Sequence, residues 1–224
     1  MEKVITLWHG SANIIEKPIY GYGKMYNDYG LGFYCTESQE LAKEWACTEQ
    51  SDGYANRYRI KLDGLRILNL SDPDYTVLSW LAILVDNRKF QQTAAVARQG
   101  IQYLKDNFLP DVERYDVIIG YRADDSYFSF ARAFVNNTIS VAQLARAMRL
   151  GKLGEQIVLK SPAAFAEIQF EGYETADRTR YFLRRKSRNE QARKTYLEQA
   201  DDLEGLYMRD VIREKVTHDD PRLR

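Results

Sequence analysis

A short β-rich segment that ends in His-Gly-Ser, followed by a long glycine-rich stretch, constrains the fold of this chain most strongly. Val4–Trp8 has the composition of a strand buried on both faces. Residues 10–31 then contain the density of turn-forming residues that predicts a loop: Gly10, Pro18, Gly21, Gly23 and Gly30. A loop of that length in a compact domain is usually functional. His9, one of only two histidines, therefore lies where a strand meets a candidate binding loop.

A second motif lies at the C-terminal end of the predicted loop. Tyr29–Tyr34 leads from glycines into an aromatic side chain, and Gly10 leaves a bare backbone to which a ligand amide could bond directly. Several of the 16 tyrosines lie in this region and either offer flat surfaces to a ligand or fill a loop that packs on itself: Tyr20, Tyr22, Tyr26, Tyr29 and Tyr34. The two segments together predict two walls of a nucleotide pocket.

Periodicity and turn residues predict an α+β protein. We interpret residues 1–173 as one domain with an α-helical insertion at about 75–109, and residues 174–224 as a charged helical C-terminal extension. The arginine-rich extension is a solvated appendage, an oligomer contact or a partner-binding arm. The expected elements are a helix over Glu37–Thr48 opened by Thr36, strands over Tyr54–Leu62, Tyr115–Gly120, Gly154–Leu159 and Phe165–Phe170, and helices over Thr76–Asn87, Gln91–Asn107, Ser126–Val135 and Ser140–Met148.

Composition excludes several classes of protein. The 32 basic and 32 acidic residues cancel, so no global field draws the chain to nucleic acid or to an anionic membrane. Cys35 and Cys47 are too few for a disulfide framework and lack metal-ligand partners, so we expect no metal and a reduced, cytoplasmic setting. The longest mostly apolar stretch, Val77–Val85, is too short to cross a bilayer, and no secretory signal is recognisable, so no membrane contact is expected.

The two motifs resemble the catalytic domain of the ADP-ribosyltransferases, most nearly the histidine-tyrosine-glutamate branch that includes diphtheria toxin and the poly(ADP-ribose) polymerases. The chain also resembles the bacterial DUF3990 family, which is assigned to the same superfamily. The likeness rests on Leu7–Ser11, Tyr29–Trp45 and a weaker strand at Gly154–Lys160, well under half of the chain. It implies a split β-sheet core and NAD as the substrate, without a metal.

The resemblance also implies roles for individual residues. His9 would donate a hydrogen bond to the adenosine ribose, while Gly10 and Ser11 would bind the nicotinamide amide. Tyr34 would stack on the nicotinamide ring and Trp45 would supply a second aromatic, although a tryptophan on an amphipathic helix is also typical of a core. Gly32 would line the same pocket.

The catalytic acid is ambiguous in the sequence. Family enzymes begin a central strand with a glutamate, and the segment at residues 154–160 offers Glu155 or Gln156, of which only one can face the cleft because strand side chains alternate. We favour Glu155. If Gln156 faces inward, it can bond the ribose but supplies no charge. Asp124 and Asp125, before the helix at Ser126, either cap that helix or contact a substrate.

The function expected from the resemblance is NAD-dependent mono-ADP-ribosyl transfer by a bacterial toxin or defence protein, with an unknown protein or nucleic-acid acceptor and an antitoxin as a partner. Two alternatives stay open. One is a weak or inactive NAD-binding or partner-binding module. The other is an RNA 2′-phosphotransferase, whose fold is related but which uses several arginines to hold a phosphate, and no such cluster surrounds His9 in the sequence.

Overall fold

The described residues of the computed structural model form seven β-strands in two sheets and eight α-helices, which confirms the α+β class. The structure describes residues 3–92, 94–123, 125–150, 154–198 and 202–223, without the side chain of Asp125. The strands are β1 (Val4–Ser11), β2 (Phe33–Cys35), β3 (Gly53–Lys61), β4 (Ile67–Asn69), β5 (Val117–Tyr121), β6 (Glu155–Leu159) and β7 (Ile168–Ala176). The helices are α1 (Gln39–Ala46), α2 (Val77–Asn87), α3 (Ala95–Phe108), α4 (Asp125–Val135), α5 (Val141–Ala147), α6 (Pro162–Glu167), α7 (Arg178–Leu197) and α8 (Met208–Arg213), with 3-10 turns at Val112–Arg114 and Pro221–Leu223.

The two sheets have different topologies. One is antiparallel with the order β1-β3-β7, and the other has the order β2-β6-β5-β4, in which only β4 and β5 are parallel. Among the residues that the structure describes, one β-bridge links the sheets, between Trp8 and Thr36, with both backbone hydrogen bonds formed at 2.8 and 2.9 Å. Beyond this bridge β1 and β2 form no further ladder pairs, so an opening exists between them.

Successive side chains of β6 point to opposite faces of the sheet and pack into two separate hydrophobic cores. Ile157 and Leu159 pack between the sheets with Leu7 of β1, whereas Val158 faces the larger core that the helices build. The centre of that larger core is α2, in which every residue of 77–85 is buried. A helix that is apolar on all sides is a core helix. Both helices of the proposed insertion, α2 and α3, therefore contribute to the main core.

Some elements differ from the sequence expectations. In β1 only Leu7 and Trp8 are buried, because β1 is an edge strand whose outer residues meet solvent. Helix α1 begins later than expected, since Ser38 rather than Thr36 caps it by accepting from the Leu41 N–H at 3.3 Å. Phe165 lies in α6, which Ser161 caps, and the next strand begins only at Ile168. That strand pairs with β3, in the sheet that does not contain β6.

The C-terminal extension contacts the rest of the molecule extensively. Strand β7 continues past residue 173 to Ala176, and α8 buries Met208 and Val211 in the main core beside α3. The division at residue 173 stays a prediction. Within the described part of the chain, no helix combines the length and the apolar character that crossing a bilayer requires.

Candidate functional site

One cleft collects most of the residues singled out in the sequence. Its volume is about 610 Å³, which lies within the usual range for small-molecule sites of about 300–1,000 Å³. Its walls come from both sheets, from the glycine-rich loop and from α1. The expected residues that line it are His9, Gly10, Gly32, Tyr34, Trp45 and Gln156.

His9 joins the first two predicted segments directly. Its Nδ1 lies 2.7 Å from the Tyr34 carbonyl oxygen, and because a carbonyl only accepts, Nδ1 carries the proton and donates it. Burial lowers the pKa of His9 against the opposing effect of this hydrogen bond, so the ring is neutral at pH 7. The ring also stacks on Phe33, with centroids 4.3 Å apart. Neutral His9 thus presents Nε2 as an acceptor, the reverse of the donor role that the resemblance implies.

Gly10 lies at the free edge of β1. Backbone groups of a strand point to alternate sides, so the N–H and C=O of Gly10 face the same edge on which Trp8 bonds Thr36. A Cβ at Gly10 would lie 2.1 Å from the Ala42 carbonyl oxygen, so only glycine lets α1 pack this closely. Ser11 does not line the cleft, and its hydroxyl accepts from the Asn13 N–H at 3.1 Å.

Tyr34 uses its hydroxyl to close the glycine-rich loop. The hydroxyl donates to the Gly30 carbonyl at 2.6 Å and accepts from the Tyr29 N–H at 3.1 Å. Burial raises the pKa of Tyr34 well above its usual value, so the phenol stays protonated. Gly32 fits here because a Cβ would lie 2.7 Å from Val158 of β6. The ring of Tyr34 remains part of the cleft wall and can stack on a flat ligand.

Trp45 lies on the opposite element, α1, with an arginine on its ring. The guanidinium of Arg122 lies 4.0 Å from the ring centroid, a cation–π contact. The indole Nε1 is buried and donates no hydrogen bond to a described residue. A nicotinamide ring held between Tyr34 and Trp45 must therefore displace Arg122 or use the other face of the indole.

Strand β6 directs Gln156, not Glu155, into the cleft. Gln156 is 4% exposed and lies on the same strand face as Val158. Glu155 is exposed at the strand start, outside the cleft, and its carboxylate accepts from the Ser71 hydroxyl. The physical reason is that Ile157 and Leu159 occupy the core between the sheets, which forces the intervening side chains to the other face. The cleft thus has an amide where we expected a carboxylate.

A family model described as a protein of unknown function, DUF3990, matches residues 5–170, which is most of the chain. The chain belongs to the DUF3990 family. The resemblance to DUF3990 is therefore confirmed, and the cleft residues named above all lie inside the matched range. The DUF3990 description names no activity. No curated protein and no solved structure matches the chain.

In this DUF3990 protein the cleft also contains charged residues that sequence reasoning missed. Asp28, only 8% exposed, pairs with Arg88 at 3.0 Å, and Lys24 and Arg122 also line the cleft. Arg88 follows the last residue of α2 and lies 3.9 Å from the Phe128 ring. The position of Asp28 inside the glycine-rich loop was the signal available in the sequence. No local pattern connects it with Arg88 and Arg122, which lie far from it along the chain. Asp124 and the Asp125 side chain lie outside the described residues.

Proposed function

We propose that this protein binds NAD in the cleft and transfers its ADP-ribosyl group to an acceptor. The observation that carries the proposal is the convergence of His9, Gly10, Tyr34 and Gln156, which come from three separate segments, around one cavity. The resemblance to the ADP-ribosyltransferases requires this convergence, whereas an ordinary core would not. The split between the two sheets at the cleft also supports it.

Each step of ADP-ribosyl transfer from NAD requires a particular contact from the residues of the cleft. In the transfer, the bond between nicotinamide and ribose breaks, its electrons leave with nicotinamide, and the anomeric carbon bonds to a nucleophile of the acceptor, whose proton passes to solvent. The backbone edge at Gly10, which lines the cleft, suits the nicotinamide amide, the Tyr34 ring suits the pyridine face, and Nε2 of His9 accepts from a ribose hydroxyl. Arg88 and Arg122 supply positive charge for the diphosphate.

Gln156 favours a second candidate function. Family transferases use a carboxylate near the anomeric carbon to stabilise the positive charge of the transition state, and an amide carries no charge. The chain is therefore either a slow transferase or a protein that binds NAD with little turnover. Both candidates share the same pocket and differ only in the chemical step.

Nicotinamide release from NAD tests the proposal. The purified wild type, Gln156→Ala and Glu155→Ala are incubated with NAD, with and without a 2′-phosphorylated RNA as acceptor, and free nicotinamide and NAD affinity are measured. We expect slow release that Gln156→Ala abolishes and Glu155→Ala leaves, because only Gln156 lines the cleft. Binding without release supports the binding module, and removal of the phosphate from RNA supports the phosphotransferase. Absence of NAD binding by the folded wild type contradicts the proposal.

A further inference from the structure

The side-chain amide of Gln156 has a hydrogen-bond partner for its nitrogen but none among the described residues for its oxygen. Its Nε2 donates to Asp28 Oδ2 at 3.4 Å, while its Oε1 is buried and accepts no hydrogen bond from a described residue. A buried acceptor without a partner costs about 1–3 kcal/mol. Such groups in native proteins call for an explanation, and a ligand that donates a hydrogen bond is one.

Asp28 itself is held in place from two directions. Its Oδ2 accepts from the Ala123 N–H at 2.8 Å, and its Oδ1 accepts from Arg88 at 3.0 Å. Arg88 is fixed in turn, since the same nitrogen donates to the Ala123 carbonyl at 2.8 Å. The carboxylate therefore cannot turn away from Gln156 without losing contacts to the β5–α4 connection and to the end of α2.

The chemistry of the two side chains then fixes the orientation of the amide. An ionised carboxylate only accepts hydrogen bonds, so the Gln156 side chain must direct its NH₂ towards Asp28. The oxygen is consequently left as the acceptor. Without Asp28 the amide could rotate by half a turn, and a donor would replace the acceptor.

We propose that Asp28 is a positioning residue, which holds the Gln156 amide so that Oε1 accepts a hydrogen bond from a ribose hydroxyl of the bound dinucleotide. This inference rests on the proposed function for the identity of the ligand, but the contact between Asp28 and Gln156 does not depend on it. Asp28 is also the one carboxylate among the described residues that line the cleft.

A purely structural role for Asp28 does not account for a buried carboxylate whose ionisation is disfavoured. Burial raises the pKa of Asp28 despite the opposing hydrogen bond from Ala123 and the charge of Arg88. The ionised form is therefore less favourable, relative to the protonated form, in the folded chain than in the unfolded one, so the ionisation of Asp28 is opposed by folding. A buried carboxylate that has a perturbed pKa and lines a cleft is a candidate for function.

The first test needs no ligand. In ¹⁵N-labelled protein the Gln156 side-chain NH₂ signals are assigned by their loss in Gln156→Ala, and the exchange of the two protons with solvent is measured. We expect one proton to exchange slowly in the wild type and both to exchange rapidly in Asp28→Asn. Rapid exchange of both protons in the wild type overturns the inference, and this result stands even if Asp28→Asn does not fold.

The second test is a double-mutant cycle on NAD affinity, measured by calorimetry in wild type, Asp28→Asn, Gln156→Ala and the double variant. If Asp28 acts through Gln156, Asp28→Asn weakens binding about fivefold in the wild type but less than about twofold in the Gln156→Ala background. An equal loss in both backgrounds is what a structural role predicts and overturns the inference. If the wild type binds no NAD, the proposed function fails, while the exchange measurement still decides the positioning of the amide.

Discussion

The hydrogen bond from His9 to the Tyr34 carbonyl links two sequence segments and also decides what the imidazole can do. Since Nδ1 donates, Nε2 is the only nitrogen left for a ligand, and it accepts as long as the ring is neutral. Burial, which lowers the pKa of His9, keeps it neutral. Protonation would charge a buried ring beside Phe33 and remove the acceptor.

Stability should therefore depend on pH through His9. Its pKa is lower in the folded than in the unfolded chain, so the unfolded state binds more protons below a pH of about 6.5. The contribution of His9 is complete above that pH and is lost as the pH falls towards the lowered pKa. Urea unfolding at pH 7.5 and 5.5 should show a larger loss for the wild type than for His9→Gln, in which the carboxylates and His218 are unchanged. Equal losses would show that His9 is not buried as a neutral base.

Two variants of Tyr34 distinguish stacking of its ring on a ligand from closure of the glycine-rich loop by its hydroxyl. We expect Tyr34→Ala to weaken NAD binding at least tenfold, about 1.4 kcal/mol, because the ring wall of the cleft is lost. Tyr34→Phe keeps the ring but removes the bonds to Gly30 and Tyr29, so calorimetry should show most of the affinity retained. Unchanged affinity in Tyr34→Ala would remove the stacking role.

Side chains could be assigned from the sequence only where a local motif fixed them. His9, Gly10 and Tyr34 belong to short motifs, and all of them line the cleft. From the sequence we favour Glu155, but the cleft contains Gln156; the orientation of β6 could not be fixed from the sequence, because the three residues that follow are all apolar and both faces of β6 are buried. Only the division of those residues between two cores reveals the orientation.

At the scale of elements, helices α1 and α7 are joined by ion pairs. Arg188 pairs with Glu44, and both are largely buried, with 13% and 6% of their side chains exposed. Arg184 pairs with Glu40, which is 44% exposed. Part of the arginine cluster that suggested a free arm thus serves to hold the helix that carries Trp45.

Removing one member of the buried pair should be costly. Glu44→Ala leaves Arg188 buried without its partner, and we expect a loss of about 3–5 kcal/mol in the free energy of unfolding. Glu40→Gln, which keeps an acceptor for the Tyr181 hydroxyl, is the matched control on the same helix and should cost less than about 1 kcal/mol, because the ion pair that it removes is exposed. Urea denaturation compares the two. Similar small losses would mean that the ion pairs do not hold α7 against α1.

At the scale of the whole molecule, the C-terminal segment takes part in the main core. Met208 is fully buried against α3, where a Cβ at Gly100 would lie only 2.7 Å from its Cγ. We expect Met208→Ala to lower the free energy of unfolding by about 2–5 kcal/mol, as for other core truncations. Leu203→Ala is the control, since Leu203 is 90% exposed. Equal stabilities would mean that the extension is an appendage.

The sequence predicted the order of most elements but not their packing. Strands β3, β5 and β6 and helices α2 to α5 occur where periodicity and caps indicated them. The partner of β7 could not be predicted, because pairing with β3 depends on contacts far apart in the chain. The charged composition of α7 likewise hid its role, since the acids that pair with it lie on α1.

The central claim is that NAD occupies the cleft, and the indole signals of the tryptophans test it most directly. Trp45 lines the cleft, whereas Trp80 is a buried residue of α2 whose Nε1 donates to the Tyr121 carbonyl at 3.0 Å. In a protein with ¹⁵N-labelled tryptophan, addition of NAD should shift the Trp45 indole signal in a saturable way and leave Trp80 in place. A Trp45 signal that does not move at millimolar NAD would contradict the account.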